Sequence, residues 1–331
     1  MVIAGSEAGG VALQAVQLTR EETIEVVDVP EPVPVDDQVL VQVEHLSICG
    51  SDMRYYRSPN SDDFPFPPGY PFHECAGRVV DRAGAGFAEG DAVVVLAPDR
   101  LAGAELLAVS PRRLVKVPDK ASLPTDERRV LAQPLGTVLY PCGSLNGLGK
   151  SVVVFGQGPL GLTFTQLLSG MRSLHLVSVD LHDYRLAHAR RLGATATFTP
   201  GDDVAAEVRA LTDGRGADIV VDTTGREDVI NLALEILAFR GTLSCFGQPV
   251  VEPIGFNYKT FSKKEIHLLP TITHSRPDPA EGTRLAVDLI VGGRIDVSWM
   301  VTHRLPLSEV GKAFEIYATQ AEECLKVVLH P

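Results

Sequence analysis

Three residues of this chain could hold a metal ion: Cys49, His73 and Glu74. Cys49 lies in Ile48-Cys49-Gly50-Ser51-Asp52, and the other two in Phe72-His73-Glu74-Cys75-Ala76-Gly77. A thiolate, an imidazole and a carboxylate suit a tetrahedral zinc with one position left open. Their spacing is not that of a Cys-x-x-Cys structural site. Taken singly, each has a plainer reading. Cys49 can be a small core residue, His73 and Glu74 a buried polar pair, and Asp52 a turn or helix-cap residue.

A second group reads as a phosphate cradle. Gly156-Gln157-Gly158-Pro159-Leu160-Gly161 follows the apolar run Val152 to Phe155 and precedes an apolar, helix-compatible stretch ending at Gly170. Gly156 permits a tight turn, Gly158 lets backbone approach a pyrophosphate, and Gly161 lets helix pack on strand. The start of the helix then offers free N–H groups and a positive dipole end. A second apolar run, Leu174 to Val179, ends in Asp180. That is about twenty residues after the last glycine, where an acid receives the hydroxyls of an adenosine ribose.

Two kinds of architecture must carry these groups. The first 130 or so residues alternate in the manner of short strands, as in Thr23–Val27, Val39–Glu44, Gly77–Val80 and Gly90–Val95. Loop chemistry fills 57 to 71, with Asn60, Asp62, Asp63 and several prolines. Such spacing points to a barrel or sandwich. From about 147, strand and helix alternate. The strands are Val152–Phe155, Leu174–Val179, Ala217–Asp222 and Gly241–Gly247, with a helix through Leu186, Ala189 and Leu192 and another over 229–237. That alternation predicts a doubly wound parallel sheet. Helices are expected over 281–291 and within 305–319, and a last strand at Cys324–Leu329 that rejoins the N-terminal domain.

Length and composition set the bounds. A chain of 331 residues with 45% hydrophobic content suits two domains. A net charge of −12 argues against nucleic acid and anionic membrane surfaces as partners. No apolar run approaches the ~20 residues of a membrane span, and no basic stretch leads into an apolar one at the start. Five scattered cysteines point to a reducing, cytoplasmic setting.

Taken together, these motifs resemble the medium-chain dehydrogenase/reductase superfamily, in its zinc-dependent alcohol, polyol and sugar dehydrogenase branch. The resemblance spans nearly the whole chain. It rests on Cys49-Gly50-Ser51-Asp52, His73-Glu74-x-x-Gly77, Gly90-Asp91-x-Val93, the loop at 156–161, and Asp180 with Arg185. Gly292-Gly293-Arg294-Ile295-Asp296 and Thr302-His303-Arg304 add to it. It implies an α/β chain made of a GroES-like β-barrel catalytic domain (1–130 and 272–331) and a Rossmann domain (131–271). Cys49 and His73 become zinc ligands and Glu74 a constant or alternating one. Ser51 becomes the hydroxyl that takes the substrate proton, and Asp52 the partner that orients His73. Gly156, Gly158, Pro159, Leu160, Gly161, Asp180, Arg185 and Thr224 become the cofactor site. One zinc and NAD, rather than NADP, are the implied cofactors. The implied activity is hydride transfer between NAD(H) and a secondary alcohol, polyol or sugar-like alcohol, or the matching ketone, in a homodimer or homotetramer.

Several positions depart from that pattern. Phe72 stands where relatives carry glycine and adds bulk beside the metal. Gln133-Pro134-Leu135 replaces Glu-Pro-Leu, so Gln133 offers a neutral oxygen as ligand or as partner to a bound water. Arg54 replaces a relay histidine and reads equally as a substrate contact or a surface charge. Leu96 to Leu107 holds none of the four cysteines of the structural-zinc lobe, so a second zinc is not expected. Cys75, Cys142, Cys245 and Cys324 read as core or helix cysteines. His182, His188, His274 and His303 lack ligand spacing. Tyr55 and Tyr56 either line a cleft or pack the barrel edge, and Trp299 reads as interface or core. Two alternatives stay open: a zinc-free quinone or enoyl reductase of the same superfamily, and a non-catalytic NAD(H)-binding protein.

Overall fold

A computed structural model describes residues 12–58, 61–81, 86–118, 126–249, 252–270, 278 and 280–331. Asn60, His274 and the expected boundary at 271/272 lie outside the described residues. The chain divides into two compact units, 1–136 with 280–331, and 137–279.

The first unit opens with an antiparallel hairpin, β1 (Leu13–Arg20) and β2 (Thr23–Val29). Its main sheet then begins with β3 (Val39–Ser47), which is followed by the single-turn helix α1 (Met53–Tyr56). β4 (Glu74–Asp81), β5 (Ala92–Leu96), β6 (Leu106–Val109) and β7 (Leu114–Lys116) continue it. The helix α2 (Ala132–Ser144) leads into the second unit.

There the strands are β8 (Ser151–Phe155), β9 (His175–Val179), β10 (Ala196–Phe198), β11 (Ala217–Asp222), β12 (Leu237–Cys245) and β13 (His267–Pro270). The helices α3 (Pro159–Gly170), α4 (Asp183–Arg191), α5 (Val204–Leu211), α6 (Glu227–Ile236) and α7 (Tyr258–Lys263) alternate with them. The chain then returns through α8 (Glu281–Val291), β14 (Val301–Pro306), α9 (Val310–Thr319) and β15 (Lys326–His330).

In the first unit the sheet order is β14-β15-β3-β4-β5-β7, with β6 also on β3. β3 is the axis. It is buried along almost its whole length and bonds β15, β4 and β6. Val39, Val41, Val43 and Leu46 all turn into one hydrophobic core, the register shift between Val43 and His45 bringing Leu46 to it. The returning strand β15 pairs antiparallel with β3, Val328 opposite Ser47.

The second unit is a six-stranded, all-parallel sheet in the order β10-β9-β8-β11-β12-β13. Counted within the unit, this is third, second, first, fourth, fifth, sixth, the doubly wound dinucleotide order. Its strands read as continuous apolar runs because both faces are covered. Val153 and Phe155 of β8 lie in one core cluster, Val152 and Val154 in another. The order reverses between β8 and β11, so the loops after those two strands flank the crevice where such sheets bind ligands.

Strands β1, β6, β7, β13 and β14 are not marked by the sequence pattern. They are short or carry polar residues at regular intervals, and pairing rather than periodicity defines them.

Candidate metal and dinucleotide sites

The metal-ligand candidates meet because of strand register. β3 and β4 are antiparallel neighbours, with Ser47 opposite Glu74. Cys49, just beyond β3, therefore lies beside His73 and Glu74 at the start of β4. One ligand atom from each of Cys49, His73 and Glu74 lies within 4.8 Å of the others.

Local bonding fixes each of the three. Cys49 precedes a 3-10 turn, Gly50–Asp52, and its backbone N–H donates to Asp52 Oδ2 at 2.8 Å. Asp52 is fully buried. Its Oδ1 lies 3.0 Å from His73 Nδ1, which holds the ring so that the other nitrogen faces the group. Burial alone would lower the pKa of His73, but Asp52 and Cys49 outweigh it and hold it well above the usual value. Ser51 Oγ donates to Cys49 Sγ at 3.4 Å.

Glu74 is buried and its Oε2 accepts from Lys326 Nζ and Ser47 Oγ. Lys326, also buried, donates to Ile48 O at 3.1 Å. Burial opposes both charges, yet each sustains the other: Glu74 is held below the usual carboxylate range and Lys326 above the usual amine range. The Tyr317 phenol is buried nearby and pushed well up, first by burial and then by Cys49 and Glu74, so it stays neutral.

Two residues of this site escape sequence reasoning. Lys326 carries a usable signal, since a lysine inside the apolar run 324–329 must find a buried partner. Arg100 carries none. It lies in the loop between β5 and β6, where Nη1 donates to Asp52 Oδ1 at 2.8 Å and Nη2 to Ser51 Oγ at 3.1 Å. Its guanidinium stands 5.2 Å from the centre of the Tyr55 ring.

The donor set fits zinc: one soft thiolate, one oriented imidazole and one carboxylate. Its electrostatics fit a dication too. Asp52 is met by Arg100 and Glu74 by Lys326, and a bound metal would deprotonate the Cys49 thiol to a thiolate.

The departures resolve individually. Phe72 turns into the core, with its ring 5.6 Å from that of Phe314, so its bulk does not border a pocket. Tyr56 is also core, 5.0 Å from Phe314, whereas Tyr55 is half-buried and packs edge-on against Tyr70 and Phe66. Arg54 is exposed on α1. Gln133 is half-buried on the first turn of α2. Cys75, Cys142 and Cys324 are buried. Burial pushes the Cys142 thiol up to about 12. Trp299 is half-buried and donates to Asp296 O at 3.0 Å.

In the second unit the glycine loop has the geometry its spacing implies. Gly156 sits at φ +82°, and a Cβ on Gly161 would come 1.8 Å from Gly156 O. A Cβ on Gly158 would meet nothing within 4 Å, so this face of the loop is open. Gly158 caps α3 without any side-chain bond, and Pro159 begins the helix, with Leu160 and Gly161 in the same turn. The first-turn N–H groups therefore lack a capping acceptor from Gly158, the condition in which helix starts take phosphate.

Asp180, buried at the end of β9, accepts from the Gln157 N–H at 2.6 Å and the His182 N–H at 2.9 Å. It thus ties the glycine loop to the neighbouring strand. Arg185 Nη1 lies 3.5 Å from Asp180 Oδ2, and the same guanidinium rests against the Tyr184 ring. After β11, Asp222 Oδ1 accepts from both the N–H and the hydroxyl of Thr224, at 2.8 and 2.7 Å. Burial raises the pKa of Asp222 against those bonds.

Residues 35–119 match the alcohol dehydrogenase GroES-like domain, and residues 159–290 match the zinc-binding dehydrogenase domain. The chain belongs to the medium-chain dehydrogenase/reductase superfamily, in its zinc-type alcohol dehydrogenase group, with a GroES-like domain and a Rossmann-like parallel-sheet domain. It is 26% identical to the sorbitol dehydrogenase of Bacillus subtilis, over 95% of each chain. It is 29% identical to the L-threonine 3-dehydrogenase of Caldanaerobacter subterraneus, over 97% of this chain and 99% of that one. Among solved structures it resembles the alcohol dehydrogenase TADH from Thermus sp. ATN1, with a TM-score of 0.83 and 25% identity over 96% of this chain and 99% of that one.

Proposed function

We propose that the protein is a zinc-dependent dehydrogenase that moves hydride between NAD(H) and a secondary alcohol, polyol or sugar-like alcohol, or the matching ketone. The observation that carries this reading is the convergence of Cys49, His73 and Glu74 within 4.8 Å, with Asp52 holding the far nitrogen of His73. Relatives named as sorbitol and threonine dehydrogenases support the same substrate class, a hydroxyl on a carbon.

One zinc, held by Cys49, His73 and Glu74 with Gln133 at or beside the fourth position, would supply Lewis acidity toward the substrate oxygen. Because Glu74 and Asp52 already have their own cations, the thiolate would cancel only half of a 2+ charge. The site would then favour negative charge developing on a substrate oxygen. Ser51 stands beside Cys49 with a hydroxyl that would accept that oxygen's proton while passing its own on to water, as a relay. In the second unit the open face at Gly158 and the start of α3 take the pyrophosphate, and Asp180 takes the adenosine ribose of NAD. Thr224 and Arg185 complete the cofactor site. A dimer or tetramer in a reducing, cytoplasmic setting is part of the same proposal; among the described residues β13 is an edge strand with Leu268 exposed, which supports pairing there.

The test is alcohol-dependent formation of NADH across a panel of polyols and secondary alcohols, with the ketones run in reverse. Ser51→Ala should retain zinc and NAD binding and slow turnover by about 10²–10⁴-fold. No turnover of any panel member in either direction would contradict the reading, and unchanged turnover in Ser51→Ala would remove Ser51 from the mechanism.

A further inference from the structure

Arg100 is the residue the proposed chemistry does not yet use. Its planar guanidinium reaches two neighbours at once, Asp52 Oδ1 at 2.8 Å and Ser51 Oγ at 3.1 Å. The first is the carboxylate that orients His73, and the second is the hydroxyl assigned to proton transfer. The two bonds leave from two different nitrogens held in one plane, so the guanidinium fixes their relative direction, whereas an ammonium would have to reach both acceptors from a single nitrogen on a flexible stem. The side chain is largely buried and lies against the Tyr55 ring, which stacks edge-on with Tyr70 at 5.0 Å. Its backbone is fixed in the left-handed region at φ +61°, with its N–H donated to Ala97 O at 2.9 Å. Ring, turn and two acceptors thus define one position for the cation.

We infer that Arg100 is a positioning residue for the reaction, linking the orientation of His73 to that of Ser51. The inference rests on the zinc-dehydrogenase reading above. Two consequences follow from the bonding. His73 Nδ1 lies 3.0 Å from both Asp52 Oδ1 and Arg100 Nη1. An imidazole that gives its other nitrogen to a metal carries its proton on Nδ1, and a guanidinium cannot accept that proton. Asp52 Oδ1 therefore takes hydrogen bonds from both. Sharing the carboxylate with Arg100 weakens its pull on the His73 proton, so His73 is a less electron-rich ligand and the metal a stronger Lewis acid. At Ser51, Arg100 occupies one of the two lone pairs of Oγ. The hydroxyl rotor is thereby restricted, and its O–H points to the Cys49 side, where Sγ is 3.4 Å away.

The experiment compares wild type, Arg100→Ala and Arg100→Lys as zinc-loaded and as cobalt(II)-substituted full-length protein. All three should hold one metal per chain. In Arg100→Ala the cobalt absorption should shift, because the His73 donor has changed, and kcat should fall about 10–100-fold with KM little altered. Added guanidinium ion should recover part of that kcat, and ammonium should not. Arg100→Lys should return the cobalt spectrum toward wild type, since a cation again meets Asp52, while kcat stays low because Ser51 is no longer held. An Arg100→Ala protein with the wild-type cobalt spectrum and wild-type kcat overturns the inference. A loss confined to KM also overturns it, since that would make Arg100 a substrate contact. The spectra need no turnover, so a cobalt-loaded wild type without dehydrogenase activity would defeat the proposed function while Arg100 is still judged on its spectrum. A wild-type chain that binds neither metal would defeat both.

Discussion

The Glu74 carboxylate and the Lys326 ammonium form a fully buried ion pair across strands far apart in the chain, the first residue of β4 and the first of β15. Neither charge has water to fall back on, so each depends on the other. Lys326→Met should destabilise the metal-free protein by about 3–5 kcal/mol, the cost of an uncompensated buried charge. Zinc should reduce that deficit, because a second cation then meets Glu74. The double variant Glu74→Gln, Lys326→Met should recover most of the loss. Urea unfolding with and without zinc reads all three, and equal stability of Lys326→Met and wild type would show that the pair is not what holds β15 at this site.

Cofactor choice should follow Asp180. Its carboxylate would accept from ribose hydroxyls and repel a 2′-phosphate, and Arg185, already held by Asp180 and Tyr184, is poorly placed to neutralise one. NAD should therefore exceed NADP in kcat/KM by about tenfold or more, an energy of only ~1.4 kcal/mol. Asp180→Ser should narrow that gap and also weaken NAD binding, since the Gln157 N–H loses its acceptor. Equal efficiencies in the wild type would contradict the assignment.

Acid should destabilise the first unit through a histidine distant from chemistry. His45 is pushed down to about 4 by burial first, then by Arg129 and by His330, whose ring stands 5.1 Å away. Below pH 6.5 the unfolded chain takes up a proton that folded His45 refuses. Stability should fall from about pH 6.5 to about pH 4, by on the order of 2 kcal/mol, and this contribution should level off below that. His45→Gln should flatten the slope in that window. The comparison belongs in chelator, so that metal loss does not contribute, and an unchanged slope in the variant would assign it to other groups.

Much of the second unit was legible because its strands are buried on both faces and so spell continuous apolar runs, and because Gly156 takes a positive φ while Gly161 lies against the backbone oxygen of Gly156, where no side chain fits. The candidate metal ligands were legible as residue types. Their meeting was not, because it depends on the register of Ser47 with Glu74 and on β15 arriving beside β3. Phe72 misled for a related reason: adjacency to His73 in sequence does not say which way its side chain turns, and in the loop before β4 it turns into the core. Arg100 was invisible because one arginine in a loop looks like any solvated charge until Asp52 and Ser51 are brought to it.

The most direct measurement is the zinc content of the protein purified without chelators, set beside that of Cys49→Ala. With three candidate ligands converging once among the described residues and no cysteines between Leu96 and Leu107, the wild type should hold close to one zinc per chain. Cys49→Ala should hold almost none and show no alcohol-dependent NADH formation, while still folding and binding NAD through the separate parallel-sheet unit. Gln133→Ala should keep the metal and change substrate affinity or turnover. A wild type with no zinc, or with close to two per chain, would contradict the assignment of this site.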